Sequence, residues 1–155
     1  MADVHPKMIH GTKEGTVYVG GHGALASFDK NGKKLHLIEL LDVLDVLDGQ
    51  YVDAHVSGLT ASKDYFFVAF GYGFSLRAVE DVVRFDRDLT NPKVLVKKQF
   101  GCCAHIDLDT KDGVLLVAEN SRHRVNRYTF EGKQLGTWGK RDRTNIEGFA
   151  ACCNP

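Results

Sequence analysis

The sequence repeats itself about every 50 residues, and this period restricts the fold more than any other feature of the chain. Three segments align as EGTVYVGG, KDYFFVAFG and KDGVLLVAEN, and their last shared valines, Val19, Val68 and Val117, are 49 residues apart each time. A constant period of this length is typical of proteins built from repeated structural units. The fold must therefore use a unit of about 50 residues three times.

Each unit contains short runs with the character of β-strands, separated by turn residues. In the third unit the runs are HIDLDT, VLLVAEN, RVNRYTF and KQLGTWG, with turns at Lys111–Gly113 and Glu131–Gly132. The first unit has TVYVGG, LASFD and KKLHLIEL, with a hairpin turn at Lys30–Gly32. Four antiparallel strands in about 50 residues are typical of one blade of a β-propeller.

The sequence therefore predicts an all-β protein made of three four-stranded antiparallel sheets, arranged as β-propeller blades. We place the blades approximately at 1–50, 51–100 and 101–150, with 151–155 beginning a fourth repeat. Leucine-rich and ankyrin repeats are shorter, and helical repeats need apolar positions three and four residues apart. A β-sandwich has similar strands, but it would not keep this period.

The third unit resembles an NHL repeat. In that family the second strand reads roughly Val-Ala-Asp, and a polar turn, His-Arg-Val, an aromatic residue and a Gly turn follow. The matching residues here are VAENSRHRV at 117–125, then Tyr128, Gly132, Leu135 and Trp138-Gly139. Arg122 stands where the family usually has Asn. The first unit keeps the strand and the Gly turn, and the second keeps VA at 68–69 and VRF at 83–85.

The resemblance implies a propeller, usually six-bladed, in a family that serves in protein binding, RNA binding and, in an amidating lyase, metal-dependent catalysis. Propellers typically close with about four to eight blades, whereas this chain carries three. Three blades leave the outer faces of two sheets uncovered, and exposed apolar faces favour association. We therefore expect half of a six-bladed ring, completed by a second copy as a homodimer or by the remaining blades of a longer chain.

Three histidines recur at the same phase and are the candidate metal ligands. His5, His55 and His105 are 50 residues apart, at the start of the first strand of each unit. The first strand of a blade is the innermost one, so these side chains would approach the central channel, where imidazoles can bind Zn or Cu. The resemblance adds a precedent, because the amidating lyase holds zinc on channel histidines. The alternative is that duplication copied one histidine that only satisfies backbone groups at a loop.

Four cysteines form two adjacent pairs, Cys102-Cys103 and Cys152-Cys153, again 50 residues apart. Adjacent cysteines could form a vicinal disulfide or bind a soft metal, which makes Cys102, Cys103, Cys152 and Cys153 a candidate thiol site. Cysteine also serves as a small buried residue, and this simpler interpretation is preferred. The spacing does not match the framework of a disulfide-stapled secreted domain. It favours a reducing, cytoplasmic compartment, and export of a longer parent stays open.

Basic residues cluster after the second strand of the third unit, at Arg122, His123, Arg124 and Arg127. They could form a basic rim that binds RNA, or simply a solvated rim, and aromatic residues are not interleaved as base stacking requires. Over the whole chain 20 Lys and Arg balance 20 Asp and Glu, so no net positive charge attracts nucleic acid or an anionic membrane. The balanced charge argues against a nucleic-acid partner. No run of about 18 apolar residues exists, so no membrane span is predicted.

The stretch LIELLDVLDVLDG carries an acid at every third position, Glu39, Asp42, Asp45 and Asp48, and ends at Gly49. This spacing predicts a short helical segment ended by glycine. Its acidic edge is interpreted as solvated, with a rim for a partner or a cation as the alternative. The stretch lacks the Asp-x-Asp-x-Asp-Gly pattern of a calcium loop.

The sequence leaves two functions open. The first is an NHL-type scaffold, completed by self-association, that presents its loops to a protein or a small ligand. The second is a metal-dependent enzyme, lyase-like or hydrolase-like, with its metal on the repeated histidines. Phosphate loops, dinucleotide fingerprints and Ser-His-Asp motifs are not recognisable in the chain. Metal content is therefore the observation that separates the two functions.

Overall fold

The chain forms antiparallel β-strands joined by short turns in the computed structural model, which describes residues 5–40, 42, 55–72, 79–101 and 106–142. Consecutive strands group by fours into three meanders, of which the first two are joined into one eight-stranded sheet by a single residue pair, and within the described residues the sheets do not close into a barrel. We describe each meander as a sheet of its own. The predicted all-β class with antiparallel sheets is confirmed. No helix among the described residues is long and apolar enough to cross a bilayer.

The first sheet consists of β1 (His5–Gly11), β2 (Val17–His22), β3 (Ala24–Phe28) and β4 (Lys34–Glu39). The turn between β3 and β4 is held by Asp29, whose Oδ1 accepts from the backbone N–H groups of Asn31 at 2.8 Å and Lys33 at 2.9 Å. Gly32 takes a positive φ of 79° in this turn, a conformation that glycine adopts without steric cost. The hairpin turn predicted at Lys30–Gly32 is thus confirmed.

The second sheet consists of β5 (His55–Ala61), β6 (Tyr65–Tyr72), β7 (Val79–Asp86) and β8 (Lys93–Phe100). One residue pair, His22 with His55, connects its first strand to β2 of the first sheet. The apolar run in β6 is continuous rather than alternating, which is typical of a strand covered on both faces.

The third sheet consists of β9 (Asp107–Lys111), β10 (Val114–Glu119), β11 (Arg124–Thr129) and β12 (Gln134–Trp138). All four strands that the sequence predicts in this unit are confirmed. A single 3-10 turn, Asn120–Arg122, leads from β10 into β11. In β10 buried and half-buried residues alternate, because the sheet packs on a neighbour through one face.

The second sheet lies between the other two and packs against both. Phe66 and Val68 of β6 join Tyr18 and Leu25 of the first sheet in one apolar cluster. The next residues along β6, Phe67 and Ala69, point to the opposite face and join Leu115 and Val117 of the third sheet. The alternation along one strand therefore supplies two cores. The first strands of the sheets are neighbours, with β5 packed between β1 and β9.

In each sheet the strands have their ends on two opposite sides, and these two sides differ in their connections. Tight turns join the first strand to the second and the third to the fourth, and we call this side the hairpin edge. The opposite side, which we call the loop edge, holds the connections between the second and third strands and between successive sheets. His5, His55, Glu119 and Arg124 are the loop-edge ends of their strands.

The acidic stretch after β4 is described only in part. Glu39 ends β4 and so belongs to a strand rather than to the predicted helical segment. Asp45, Asp48 and Gly49 lie outside the described residues, and the helix over that part stays a prediction.

Candidate functional site

A layer of polar side chains is buried between the second and third sheets at the loop edge. It contains Ser57, Glu80, Gln99, Glu119 and Asn126, all of them at most 6% exposed. Buried polar groups require hydrogen-bond partners, and buried ionisable groups with altered protonation are frequent at functional sites. We name this set the polar layer and treat it as the candidate site.

The pairing of the strands determines where the polar-layer residues of the second sheet lie. Glu80 stands opposite Gln99 on β8 and opposite Gly71 on β6, and Gly71 in turn stands opposite His55. Cross-strand partners share a face, so these residues lie on the face that turns toward the third sheet. Ser57 belongs to a bulge between Val56 and Gly58, where β5 shifts its register against β6.

Glu80 is a buried acid that favours its neutral form. Burial raises the pKa of its carboxyl to about 7, and the hydrogen bond from Ser57 only partly opposes this effect. The Ser57 hydroxyl lies within hydrogen-bond distance of both the Ala69 carbonyl, at 3.1 Å, and Glu80 Oε2. One hydroxyl hydrogen cannot serve two acceptors. A protonated Glu80 resolves this, because its own O–H can donate to Ser57 while Ser57 donates to Ala69.

The second oxygen of Glu80 lacks a partner. Oε1 is buried and makes no hydrogen bond within the residues that the structure describes. A buried carboxyl oxygen without a partner costs roughly 1–3 kcal/mol. Glu80 therefore carries an acceptor at the loop edge that no described residue uses, opposite Gly71, over which the His55 ring packs.

The third sheet contributes a connected and charge-balanced part of the polar layer. Asn126 Nδ2 donates to Gln99 Oε1 at 2.9 Å and to Glu119 Oε2 at 2.7 Å, which uses both of its hydrogens. Arg124 forms an ion pair with the same Glu119 oxygen. Tyr128 donates to Gln99 Oε1 at 3.3 Å, and burial, reinforced by nearby Glu119, raises the pKa of its phenol.

The two buried carboxyls thus have different surroundings. Glu119 has the Arg124 guanidinium beside it and accepts a hydrogen bond from Asn126. Glu80 has no ion-pair partner among the described residues and has a pKa of about 7. A buried carboxyl with a strongly raised pKa is frequent at binding and proton-transfer sites.

The predicted histidine set is only partly described. His5 is exposed and His55 is buried, while His105 lies outside the described residues. The structure adds His22, which pairs with His5 across β1 and β2 and with His55 across the two sheets. The ring centroids of His22 and His55 are 5.9 Å apart. Within the described part of the chain, no three His, Cys, Asp or Glu side chains form a group that could hold a metal ion, so the site on His5, His55 and His105 stays a prediction.

The candidate thiol site lies outside the described residues. Cys102 and Cys103 follow Gly101, and Cys152 and Cys153 stand near the end of the chain. The chain is described again from Ile106, which is buried in the core between the second and third sheets. The thiol site therefore stays a prediction.

The four residues predicted as a basic rim have separate surroundings. Arg122 and His123 lie on the turn after β10, as expected, while Arg124 and Arg127 belong to β11. His123 is buried, and Arg124 is paired with Glu119. Arg122 and Arg127 are exposed. The structure therefore does not bring the four side chains together as one exposed set.

A depression opens at the hairpin edge, between the first and second sheets. It has a volume of about 520 Å³, with Tyr18 and Ser27 at its lining and charged groups of both signs, among them Glu14, Lys63 and Arg87. The Tyr18 hydroxyl accepts from Arg87 Nε at 2.6 Å and donates to the Arg87 carbonyl at 3.0 Å, so this pair helps to hold the two sheets together. The buried hydroxyl of Ser27 makes no hydrogen bond within the described residues.

Sequence reasoning missed the polar layer and His22. A signal for Glu80 did exist, because VEDVV places two acids between the valines at the start of a strand. Its partner Ser57 is 23 residues away and belongs to another strand, so the sequence gives no indication of the pairing. The 50-residue period selected only the histidines in phase and passed over His22.

No protein-family model matches the chain, and no curated protein matches it. Among solved structures, one that it resembles is the crystal structure of a protein of unknown function from Bacteroides caccae. The TM-score is 0.49 and the sequence identity 12%, over 88% of this chain and 46% of the other. The chain thus spans about half the length of that protein. The NHL resemblance stays a prediction.

Proposed function

We propose that this chain is a binding scaffold of the NHL-type β-propeller kind, completed by self-association, with a ligand site at the loop edge between the second and third sheets. Its role is to hold a small polar ligand or a side chain of a protein partner. The scaffold is not catalytic.

The arrangement of the sheets supports the propeller interpretation. Three four-stranded meanders follow one another, the middle one packs through both faces, and their first strands are neighbours. Successive blades of a propeller pack in this manner around a common axis. In such an arrangement the loop edges of all sheets form one surface, to which a ligand has access.

The observation that carries the proposed site is the buried Glu80, whose pKa of about 7 keeps it mostly neutral below that pH and whose Oε1 has no partner among the described residues. A neutral carboxyl can donate one hydrogen bond and accept others, so it suits an uncharged polar ligand better than a cation. Burial makes each hydrogen bond with such a group stronger than it would be in water. Ser57 and Gln99 flank Glu80 and supply further polar contacts of the same kind.

The test is a thermal-shift screen with amino acids, monosaccharides and short peptides, followed by hydrogen–deuterium exchange with any compound that stabilises the protein. We expect slower exchange at the starts of β5 and β7 and at the ends of β8 and β10. Glu80→Gln should weaken the binding of such a compound at least about tenfold, as expected when one buried polar contact is altered. The matched control is Glu14→Gln, an acid-to-amide change at the hairpin edge, which should leave binding unchanged. Protection confined to the hairpin edge would contradict the proposed site.

The metal-dependent enzyme remains the second candidate function. The observation that favours it is the pair of His22 and His55, whose ring centroids lie 5.9 Å apart. A third ligand would have to come from residues such as His105, because no described side chain completes a metal-binding group. The test is a thermal shift with Zn²⁺ or Cu²⁺ in the wild type and in His55→Ala, together with metal analysis of the purified protein. A metal-dependent shift that disappears in His55→Ala would support this function, and a protein without metal that shows no shift would end it.

A further inference from the structure

The contact between the second and third sheets contains an arginine whose counterpart in the third sheet is exposed. Arg84 stands opposite Phe67 in the second sheet, and Arg127 stands opposite Leu116 at the equivalent position of the third. Arg84 donates from Nη1 to the carbonyl oxygen of Phe130, in the next sheet, at 2.8 Å. Arg127 is exposed on the outer face of the last sheet described.

The carbonyl that Arg84 binds also has a counterpart. Phe130 lies in the turn Thr129–Lys133, which is closed by bonds from Thr129 N to Lys133 O and from Gly132 N to Thr129 O. The turn Asp29–Lys33 of the first sheet has the same two bonds, from Asp29 N to Lys33 O and from Gly32 N to Asp29 O. Lys30 therefore stands in the first sheet where Phe130 stands in the third.

The outer face of the third sheet, which we call the trailing face, carries apolar residues around Arg127 on β10, β11 and β12 and two acids, Asp107 and Asp109, on β9. Ala118, Val125 and Trp138 form one cross-strand row, beside the pair of Leu116 and Arg127. Trp138 is 46% exposed. A partly exposed tryptophan next to an arginine is typical of surfaces that bind another protein.

The outer face of the first sheet, which we call the leading face, is apolar as well. Ile9, Val19, Ala26 and Leu37 form a cross-strand row through all four strands. Ile9 is 74% exposed and Leu37 is 38% exposed. The described sheets thus present two different outer faces, and each corresponds to a face that packs between sheets within the chain.

We infer that two copies of this chain associate by placing the leading face of each on the trailing face of the other. In this contact Arg127 of one copy donates to the Lys30 carbonyl of the second, as Arg84 does to Phe130 within one chain. The partner is a second copy because the packing of the second sheet on the third within one chain is a template for this contact. Each copy has one face of each kind, so a twofold pair satisfies both contacts and leaves neither face open.

The inference rests on the proposed stacking of sheets around one axis, and the test is chosen to separate the two. Sedimentation equilibrium and light scattering over a range of concentrations should give twice the 17.2 kDa of one chain. Ile9→Glu, on the leading face, and Arg127→Glu, on the trailing face, should each raise the dissociation constant at least about tenfold. Both residues are exposed in the single chain, so the far-UV circular dichroism of dilute protein should not change.

A mixture of the two variants gives the sharpest result. In a mixed pair one contact carries both substitutions and the other carries none, so the mixture should associate more tightly than either variant alone. The matched control is Leu35→Glu, which alters a leucine that is 45% exposed but lines the hairpin-edge cleft rather than an end face. This variant should associate like the wild type.

Four outcomes would overturn the inference: a wild type that stays monomeric at every concentration, open-ended oligomers, variants that associate like the wild type, and a mixture that is no tighter than its components. The last outcome would indicate that like faces pair with like. None of these affects the ligand site at the loop edge, which the exchange experiment with Glu80→Gln decides separately.

Discussion

The hydroxyl of Ser57 is hydrogen-bonded to the buried carboxyl of Glu80, and within the described residues no cation pairs with this acid. The carboxyl therefore favours the protonated state in the folded protein, with a pKa of about 7 against an ordinary value of 4.5. This difference makes the stability of the fold depend on pH.

The first prediction concerns that pH dependence. A raised pKa means that the folded protein holds a proton which the unfolded chain releases above about pH 4.5. The bound proton stabilises the folded state fully below that pH. This contribution to the free energy of unfolding, about 3 kcal/mol in all, is lost as the pH rises to about 7. Urea unfolding of the wild type at pH 5 and pH 8 should show this loss.

Glu80→Gln should remove that part of the pH dependence, because an amide does not titrate but can still donate to Ser57. The exposed Glu131→Gln is the control and should keep the wild-type difference between pH 5 and pH 8. An unchanged pH dependence in Glu80→Gln would show that Glu80 is ionised in the folded protein at both pH values.

The second prediction concerns the close approach of the second and third sheets at Gly58. A Cβ at this position would collide with the backbone carbonyl oxygen of Ile106. Backbone atoms cannot yield as a flexible side chain does, so Gly58→Ala should destabilise the protein by about 3 kcal/mol. Thermal unfolding should then occur roughly 6–12 °C lower.

Gly11→Ala is the matched control for Gly58→Ala, because Gly11 is also in a first strand and a Cβ there would meet no atom within 4 Å. It should leave the melting temperature within about 2 °C of the wild type. A Gly58→Ala variant as stable as Gly11→Ala would show that the sheets are further apart than described.

The strands could be predicted from the sequence because their signals are local. The glycine turn at Gly32 and the alternation along VLLVAE need only neighbouring residues to be recognised, and both agree with the structure. The continuous apolar run of β6 also has a local cause, since both faces of the second sheet are covered.

The polar layer could not be predicted, because its contacts join residues that are distant in the chain. Asn126 and Gln99 are 27 residues apart and belong to different sheets. Their hydrogen bond depends on how the sheets stack, which no local pattern encodes. The 50-residue period also directed attention to residues that are repeated. Glu80 has no counterpart at the same phase in the other units, so the period could not indicate it.

The third prediction concerns Glu119, the charged centre of the polar layer in the third sheet. Glu119→Ala would leave Arg124 without its ion-pair partner and one of the two amide hydrogens of Asn126 without its acceptor. Removing one member of a buried pair typically costs about 3–5 kcal/mol, and the partial exposure of Arg124 places the expected loss near 3 kcal/mol. The exposed Glu131→Ala in the same sheet should cost less than about 0.5 kcal/mol. Equal stability of the two variants by urea unfolding would contradict a network centred on Glu119.

The fourth prediction concerns the hydroxyl of Tyr18, which links the first sheet to the second. Tyr18→Phe keeps the ring, which stacks on Phe66 with centroids 4.3 Å apart, and removes both hydrogen bonds with Arg87. The free energy of unfolding should fall by about 1–2 kcal/mol, since one of these hydrogen bonds has a charged donor. Tyr65→Phe is the matched control, because the Tyr65 hydroxyl makes no hydrogen bond among the described residues while its ring packs on Phe130. The melting temperatures of the two variants should differ by roughly 2–8 °C. Identical melting temperatures would mean that apolar packing alone holds the first sheet to the second.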